Sequence, residues 1–221
     1  MYMTAFLSLP LAYLIGSIPS GLLIVKIATG KDVREIESGR TGGTNAMRAA
    51  GPLAGLFTAL LDIFKGAGAV WVGQSLFSSP DWIVAMNGLL AILGHNYSAF
   101  LVERNEDGKL HFRGGAGGAT TLGVAIGLWM SSWLVILPIA GLVYLLAGYA
   151  SITTISIALS TMGIFTVRAI SGVTPWVYAI FGAASVGTVL IALKPNIQRL
   201  KEGTERRVNL IARIFNPKKF K

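Results

Sequence analysis

The chain has 221 residues, of which 53% are hydrophobic and only 13% are charged, and its mean hydropathy is +0.63. This composition is too apolar for a water-soluble domain, so it indicates an integral membrane protein. In a membrane protein, the net charge of +9 indicates which side of the membrane the basic residues face, and does not indicate nucleic-acid binding. Cysteine is absent and the two histidines form no ligand pair at helical spacing, so we expect neither metal nor cofactor.

Seven apolar runs approach the ~20 residues that a helix needs to cross a bilayer. The first lacks the basic start and the cleavage site of a signal peptide, so we expect a retained helix, with a kink at its "GSIPSG" stretch. The fourth to sixth runs are crowded together, which leaves six spans as an alternative to seven. The predicted spans lie at about 3–28, 52–77, 82–102, 115–130, 132–150, 152–171 and 174–193.

The lysines and arginines fall on one side of the predicted membrane. If the N-terminus lies outside, seventeen of the nineteen are cytoplasmic: after the first span, in the middle loop 103–114, and from Lys194 onward. Lys65 lies within a span and Arg168 lies near an outer end. The asymmetry predicts an odd number of spans and a cytoplasmic C-terminus.

The sequence shows no second domain and no internal repeat. We expect an all-α, seven-helix membrane domain over 1–203, and a basic amphipathic tail over 204–221. In that tail Val208, Ile211 and Phe215 recur at helical spacing, so we expect it to lie along the anionic inner leaflet. We expect the protein to be a monomer.

A glycine-rich segment, "SGRTGGTNAMRAAG" at 38–51, lies on this predicted cytoplasmic face. Thr44 or Asn45 is predicted to cap a short helix that carries Arg48, so that a hydroxyl and a guanidinium share one face. That pairing suits an anion such as phosphate.

A second glycine-rich segment, "FRGGAGGATT" at 112–121, leads directly into a predicted span. Free backbone N–H groups at the helix start, beside Arg113, would form another anion site. Two further polar segments, "GYASITTIS" and "KPNIQRLKEGTE", lie on the same face.

Each feature also has a purely structural interpretation. Glycines in membrane helices usually serve close packing. Asp62 and Lys65 are equally well explained as a structural ion pair, and His95 as a donor to a backbone carbonyl. The tail arginines Arg206 and Arg207 are most simply lipid headgroup contacts.

Together, these segments resemble the acyl-phosphate-dependent glycerol-3-phosphate acyltransferases of bacterial membranes, over nearly the whole chain. The first matching signature runs from "GSIPSG" to "GRTGGTNAMRAAG". It is followed in order by "LDIFKG", "GHNYSAF" with "FRGGAGGAT", "YASITTI" and "NIQRLKEGTE". Five matches in order are specific, although each alone is weak.

The resemblance implies seven membrane helices, an active site facing the cytoplasm, and a place in the bacterial inner membrane. It implies transfer of a fatty acyl group from acyl phosphate to glycerol 3-phosphate, giving 1-acylglycerol 3-phosphate, the first step of phospholipid synthesis. The expected partners are these two substrates and membrane lipids, with no nucleic acid and no metal.

The resemblance also implies the site residues. Ser38, Arg48 and Asn196 match the positions expected to be catalytic. Substrate or phosphate contacts are implied for Gly39, Gly43, Thr44, Asn45, Arg113, Gly114, Gly115, Gly117, Ser151 and Glu205.

Three positions depart from the family pattern. Ala116 stands where the family has a lysine, Leu193 where it has a histidine, and Arg40 where asparagine is usual. Arg113 stands where lysine is common, and the middle loop carries an insertion around "ERNEDGKLH". We therefore predict a functional enzyme with reduced or altered activity, in which Arg113 or Arg40 supplies the missing cation.

Three alternatives remain at this point: a divergent paralogue with another donor or acceptor, a catalytically silent protein that binds phospholipid precursors, and a transporter. A transporter needs polar residues at the middle of several spans, and only Asp62 and Lys65 meet that requirement.

Overall fold

The computed structural model describes residues 3–105 and 107–207, and most of these residues are helical. Single turns of 3-10 helix cover Ala5–Leu7, Val33–Glu35, Ala99–Leu101 and Met130–Ser132, and a π-helical turn covers Val72–Leu76. The α-helices are α1 (Ser8–Ser17), α2 (Ser20–Thr29), α3 (Gly43–Ala50), α4 (Pro52–Trp71), α5 (Asp81–Asn96), α6 (Gly118–Leu128), α7 (Trp133–Ala147), α8 (Ala150–Ile170), α9 (Trp176–Ala192) and α10 (Lys194–Lys201).

The middle loop forms a short antiparallel hairpin that the all-α prediction missed. Strand β1 (Val102–Arg104) pairs with β2 (Leu110–Phe112), with Glu103 opposite His111. Gly108 adopts a left-handed conformation, with φ of 73°, in the connecting turn. The inserted residues thus extend the surface rather than the membrane core.

Five segments of the described chain are long and apolar enough to cross a membrane: Ala5–Thr29, Pro52–Leu76, Asp81–Leu101, Met130–Ala147 and Ala150–Ile170. A sixth results if α9 and α10, which meet at 64°, are counted as one broken span. All seven predicted runs contain a helix. However, the run predicted at 115–130 is helical only over Gly118–Leu128, and 11 residues rise only about 16 Å.

The first span is broken between α1 and α2, as the "GSIPSG" stretch predicts. Pro19 has no N–H to continue the helical ladder, and Ile18 has non-helical ψ of 119°. The Lys65 ammonium of α4 donates to the freed carbonyl of Ile18 at 2.8 Å and lies 2.8 Å from Asp62. Lys65 therefore stabilises the break, and its contact with Asp62 is the ion pair of the structural interpretation.

Glycines let α4 and α6 pack with their backbones in close contact. A Cβ at Gly66 would lie 2.3 Å from the carbonyl oxygen of Thr120, and one at Gly123 would lie 2.0 Å from that of Ile63. Neither position tolerates a side chain, so this pair of helices depends on small residues, as membrane helix interfaces commonly do.

The largest buried cluster lies among α4, α5, α6, α8 and α9, with Ile136 of α7 at its edge. Beside it, the chain bends at Leu193 and Pro195, because proline removes one N–H from the helical ladder. After the bend, Asn196 lies 3.0 Å from the guanidinium of Arg40. The bend thus brings the C-terminal segment onto the loop between α2 and α3.

Candidate active site

One cavity of about 460 Å³ joins the polar loops to the apolar helices. Its polar end is formed by the segment before and within α3, the start of α6, and the segment that follows α9. Its apolar end is formed by side chains of α6, α7 and α8, including Leu122, Leu137 and Ile157. The cavity is therefore amphipathic, with charged groups at one end and aliphatic groups at the other.

Most of the predicted site residues line this cavity, although they come from four separate segments. They are Ser38, Gly43, Thr44, Asn45, Arg48, Gly117, Ser151, Asn196 and Glu205. Four others do not line it: Gly39, Arg113, Gly114 and Gly115.

Helix α3 presents Arg48 to the cavity, but its start differs from the prediction. The helix begins at Gly43 after Gly42, with no side-chain capping bond, so the predicted cap by Thr44 or Asn45 is wrong. Arg48 lies in the last turn and forms no ion pair with any described residue. Its guanidinium therefore keeps its hydrogen-bonding capacity for an anion in the cavity.

Asn45 holds the loop in front of α3 in place. Its amide nitrogen lies 2.9–3.0 Å from the carbonyl oxygens of Val33, Ile36 and Arg40. Its side-chain oxygen accepts from the Ser38 N–H at 3.4 Å. Since these contacts saturate the amide, the side chain orders the backbone around Ser38.

The second glycine-rich segment packs tightly against the end of α5. The Gly115 N–H donates to the His95 carbonyl at 2.9 Å, so this glycine does not contribute to the free N–H groups predicted at the helix start. A Cβ at Gly115 would lie 2.0 Å from His95 Nε2, and Gly117 has φ of 89°. Glycine is thus required here for close approach and for a left-handed turn that directs α6 into the cavity.

Arg113 lies on the protein surface in a network of ion pairs. Its Nε is 2.7 Å from Glu103, which also accepts from Arg34 at 2.8 Å. Arg34 in turn binds Asp32 at 2.6 Å, and the hydrogen bond from Arg34 lowers the pKa of that carboxyl group. The network fixes the hairpin to the α2–α3 loop, outside the cavity lining.

The Glu205 carboxylate holds the C-terminal segment against the cavity through hydrogen bonds. It accepts from Asn196 at 2.8 Å, from Arg199 at 2.9 Å, and from the Ser151 hydroxyl at 3.2 Å. Burial raises the pKa of Glu205, but the hydrogen bonds from Asn196 and Arg199 outweigh it, so the pKa lies below its usual value. Glu205 is therefore an ionised support that orients Asn196.

Arg206 lines the cavity and forms an ion pair with Glu37, so it has a partner within the protein in addition to the lipid headgroups predicted for it. The guanidinium carbon of the next residue, Arg207, lies 6.0 Å from the ring centre of Tyr149. The remainder of the predicted amphipathic tail, with Val208, lies outside the described residues.

Sequence reasoning did not settle the role of three cavity residues. Arg40 was only an alternative to Arg113 as the compensating cation, and Asp62 and His95 had structural interpretations as good as a site role. In the structure Asp62 and His95 both line the cavity, and His95 Nδ1 lies 3.5 Å from Asp62 Oδ1. The sequence signal that could have identified these two residues is that each is a polar residue in an otherwise apolar run. Such residues are costly to bury in a membrane and are commonly functional.

Comparison with known proteins identifies relatives of the whole chain. Residues 6–203 match the family model described as glycerol-3-phosphate acyltransferase. A glycerol-3-phosphate acyltransferase of Thermus thermophilus is 38% identical over 202 residues, covering 91% of this chain and 94% of that protein. Glycerol-3-phosphate acyltransferase 1 of Deinococcus radiodurans is 37% identical, covering 94% and 98% respectively.

Two solved structures share the fold. The crystal structure of PlsY, an integral membrane glycerol 3-phosphate acyltransferase, in its glycerol 3-phosphate form gives a TM-score of 0.80 at 29% identity, covering 96% of this chain and 99% of that one. The lysophosphatidic acid form gives a TM-score of 0.77 at the same identity and coverage.

Proposed function

Because the chain belongs to the glycerol-3-phosphate acyltransferase family, we propose that it transfers a fatty acyl group from acyl phosphate to the primary hydroxyl of glycerol 3-phosphate. The hydroxyl oxygen forms a bond to the acyl carbonyl carbon, and the bond from that carbon to the phosphate oxygen breaks. The electron pair leaves with phosphate, and the hydroxyl proton passes to a phosphate oxygen. The products are 1-acylglycerol 3-phosphate and inorganic phosphate.

The observation that carries this proposal is the cavity with one charged and one aliphatic end. Two phosphorylated groups require cations and N–H donors at the reacting centre, whereas the acyl chain requires an apolar channel between helices. Acyl phosphate has a good leaving group, so orientation and charge stabilisation suffice without a covalent intermediate. The proposed chemistry thus needs only what this cavity supplies.

We assign Arg48 to a substrate phosphate, and Ser38 and Asn196 to the reacting glycerol 3-phosphate. Thr44 and Ser151 supply hydroxyl donors, and Gly43 and Gly117 allow close backbone approach. Asn45 and Glu205 orient these groups from behind. Gly39, Arg113, Gly114 and Gly115 contribute by fixing the loops, since they lie outside the cavity lining.

We also propose the membrane arrangement that the sequence predicts: seven spans, the N-terminus outside, and the polar end of the cavity at the cytoplasmic leaflet of the bacterial inner membrane. The division into a domain over 1–203 and a tail over 204–221 is part of the same proposal, as is a monomeric state. The distribution of basic residues supports the orientation.

The test is acyl transfer by the purified protein in detergent or vesicles. With palmitoyl phosphate and glycerol 3-phosphate we expect 1-acylglycerol 3-phosphate and phosphate in equal amounts. Acyl-coenzyme A in place of acyl phosphate should give no comparable rate. Absence of transfer from every donor, in protein that still binds these phosphorylated ligands, would instead support the silent binding protein.

A further inference from the structure

Arg40 occupies the junction of three segments at the polar end of the cavity. Its guanidinium donates to the carbonyl oxygens of Gly115 at 3.0 Å and Ala192 at 2.5 Å, and to the side-chain oxygen of Asn196 at 3.0 Å. These acceptors belong to the loop before α6, the end of α9, and α10. One side chain thus fixes the relative positions of three walls of the cavity.

The charge of Arg40 has no carboxylate partner among the described residues. By contrast, each of the arginines at 34, 113, 199 and 206 lies within 4.0 Å of a carboxylate. Burial and the neighbouring Arg199 lower the pKa of Arg40 more than the carboxylate of Glu205 raises it, yet a guanidinium stays protonated in proteins. A half-buried cation that faces a cavity with no described carboxylate within 4.0 Å favours an anionic ligand.

The geometry of the guanidinium leaves donors for such a ligand. An arginine side chain has five N–H groups, and the three hydrogen bonds within the described chain engage three of them. The adjoining cavity residues Ala116 and Leu193 belong to an apolar cluster and contribute no charge. Arg40 therefore supplies the positive charge in this part of the wall.

We propose that Arg40 contacts a substrate phosphate during acyl transfer while it holds Asn196 and the Gly115 loop in position. The inference rests on the proposed function and adds a second cationic residue of the cavity lining beside Arg48. The phosphate that Arg40 contacts belongs either to glycerol 3-phosphate, a phosphate monoester dianion, or to the acyl phosphate. The KM values for the two substrates distinguish these possibilities.

The first arm of the test compares Arg40→Gln and Arg40→Lys with the parent. The matched control is Arg104→Gln, which removes the same charge from an exposed position on β1. We expect kcat/KM to fall about 100-fold in Arg40→Gln, the loss typical of removing one preorganised donor to a transition-state anion. Arg40→Lys should not restore the parent rate, because an ammonium cannot reproduce the planar geometry.

The affected substrate identifies the phosphate that Arg40 binds. A raised KM for glycerol 3-phosphate alone assigns Arg40 to the acceptor, and a raised KM for acyl phosphate alone assigns it to the donor. Both results support the inference.

The second arm separates charge from structure. Ala116 adjoins Gly115 and lines the same cavity, so a lysine there places an ammonium in the space that Arg40 reaches. We expect Ala116→Lys to raise the rate at least about tenfold in the Arg40→Gln background and by less in the parent, because only the former lacks the cation. A purely structural role of Arg40 would give the same gain in both backgrounds.

Parent kcat/KM in folded Arg40→Gln would overturn the inference. So would a loss of kcat with both KM values unchanged and the same gain from Ala116→Lys in both backgrounds. If Arg40→Gln does not fold, a tenfold rise of one KM in Arg40→Lys supports the inference, and two unchanged KM values overturn it. An inactive parent would instead contradict the proposed function.

Discussion

Arg48 shows how one side chain is prepared for an anion. It projects from the last turn of a short helix whose preceding loop is held by Asn45 through three carbonyl contacts. It lines the cavity near Ser38 and has no ion-pair partner among the described residues. A rigid support and an unpaired guanidinium are what electrostatic stabilisation requires.

We expect Arg48→Ala to cost about 2–4 kcal/mol of transition-state stabilisation, because a charge-assisted contact to phosphate is lost. Arg48→Lys should remain impaired, since lysine does not restore a bidentate contact. The measurement is kcat/KM at saturating donor, with Arg104→Ala as the control at an exposed arginine. Parent turnover in a folded Arg48→Ala protein would refute the assignment.

Glu205 predicts a dependence of stability on pH. Its pKa in the folded protein lies below the usual 4.5, since Asn196 and Arg199 stabilise the carboxylate more than burial disfavours it. The contribution is thus present above the unfolded-state pKa and is lost as pH falls through the lower folded-state pKa. We expect the unfolding temperature to drop on acidification below about pH 4.5, and less so in Glu205→Gln.

The control for this prediction is Glu202→Gln, which changes an exposed carboxylate bonded only to Gln198 among the described residues. Thermal unfolding of the three proteins in detergent across pH 3–7, roughly the range in which carboxylates titrate, gives the comparison. Parallel curves for parent and Glu205→Gln would contradict the role of this carboxylate.

Helices α7 and α8 form one wall at the apolar end of the cavity. Gly141 of α7 lines the cavity, and a Cβ there would meet no atom within 4 Å. A larger side chain would therefore fill space that the acyl chain is proposed to use, without displacing the protein. Substitutions in this wall are therefore the ones we expect to change the preferred acyl-chain length of the donor.

Gly141→Leu should shift the donor preference toward shorter acyl phosphates. We expect the ratio of kcat/KM for palmitoyl phosphate to that for octanoyl phosphate to fall about tenfold, since a mismatch of one or two methylene groups has this order of effect. Gly163→Leu is the matched control, because Gly163 of α8 also has open space but lies on a different groove. An unchanged ratio would place the acyl chain elsewhere.

The arrangement of the chain in the membrane is set by charge and by helix length together. Within the described residues, five segments are long enough to span, a sixth results if α9 and α10 count as one broken span, and α6 is short. Because α6 is only 11 residues long, it would need the preceding glycine-rich loop to cross the bilayer. The seven-span arrangement therefore depends on α6.

We predict that reporters fused at Ser78 and after Lys221 lie on opposite sides of the membrane, the first outside and the second in the cytoplasm. The physical reason is the concentration of basic residues after the first span, in the middle loop and from Lys194 onward. Reporter activity measured in intact cells decides the matter, with a fusion at Lys109 as the cytoplasmic control. Reporters on the same side would exclude seven spans.

Local patterns in the sequence determined the class of protein, the position of every apolar helix and the segments that meet at the cavity. Apolar runs must face lipid, and proline and glycine interrupt helices wherever they occur, so these properties require no knowledge of distant residues. The break at Pro19 and the helix that carries Arg48 both follow from such patterns, as do most of the residues that line the cavity.

Only the tertiary structure decided whether Arg40 or Arg113 faces the cavity. Arg113 adjoins the glycine-rich segment in sequence but pairs with Glu103 on the surface, whereas Arg40 reaches it from 75 residues away and contacts Asn196 across 156 residues. The partners of Asn45 were likewise decided by the fold: its side-chain amide donates to backbone carbonyls and does not cap α3. A polar side chain can bond to whichever partner folding brings within about 3 Å, and spacing along the chain does not reveal that partner.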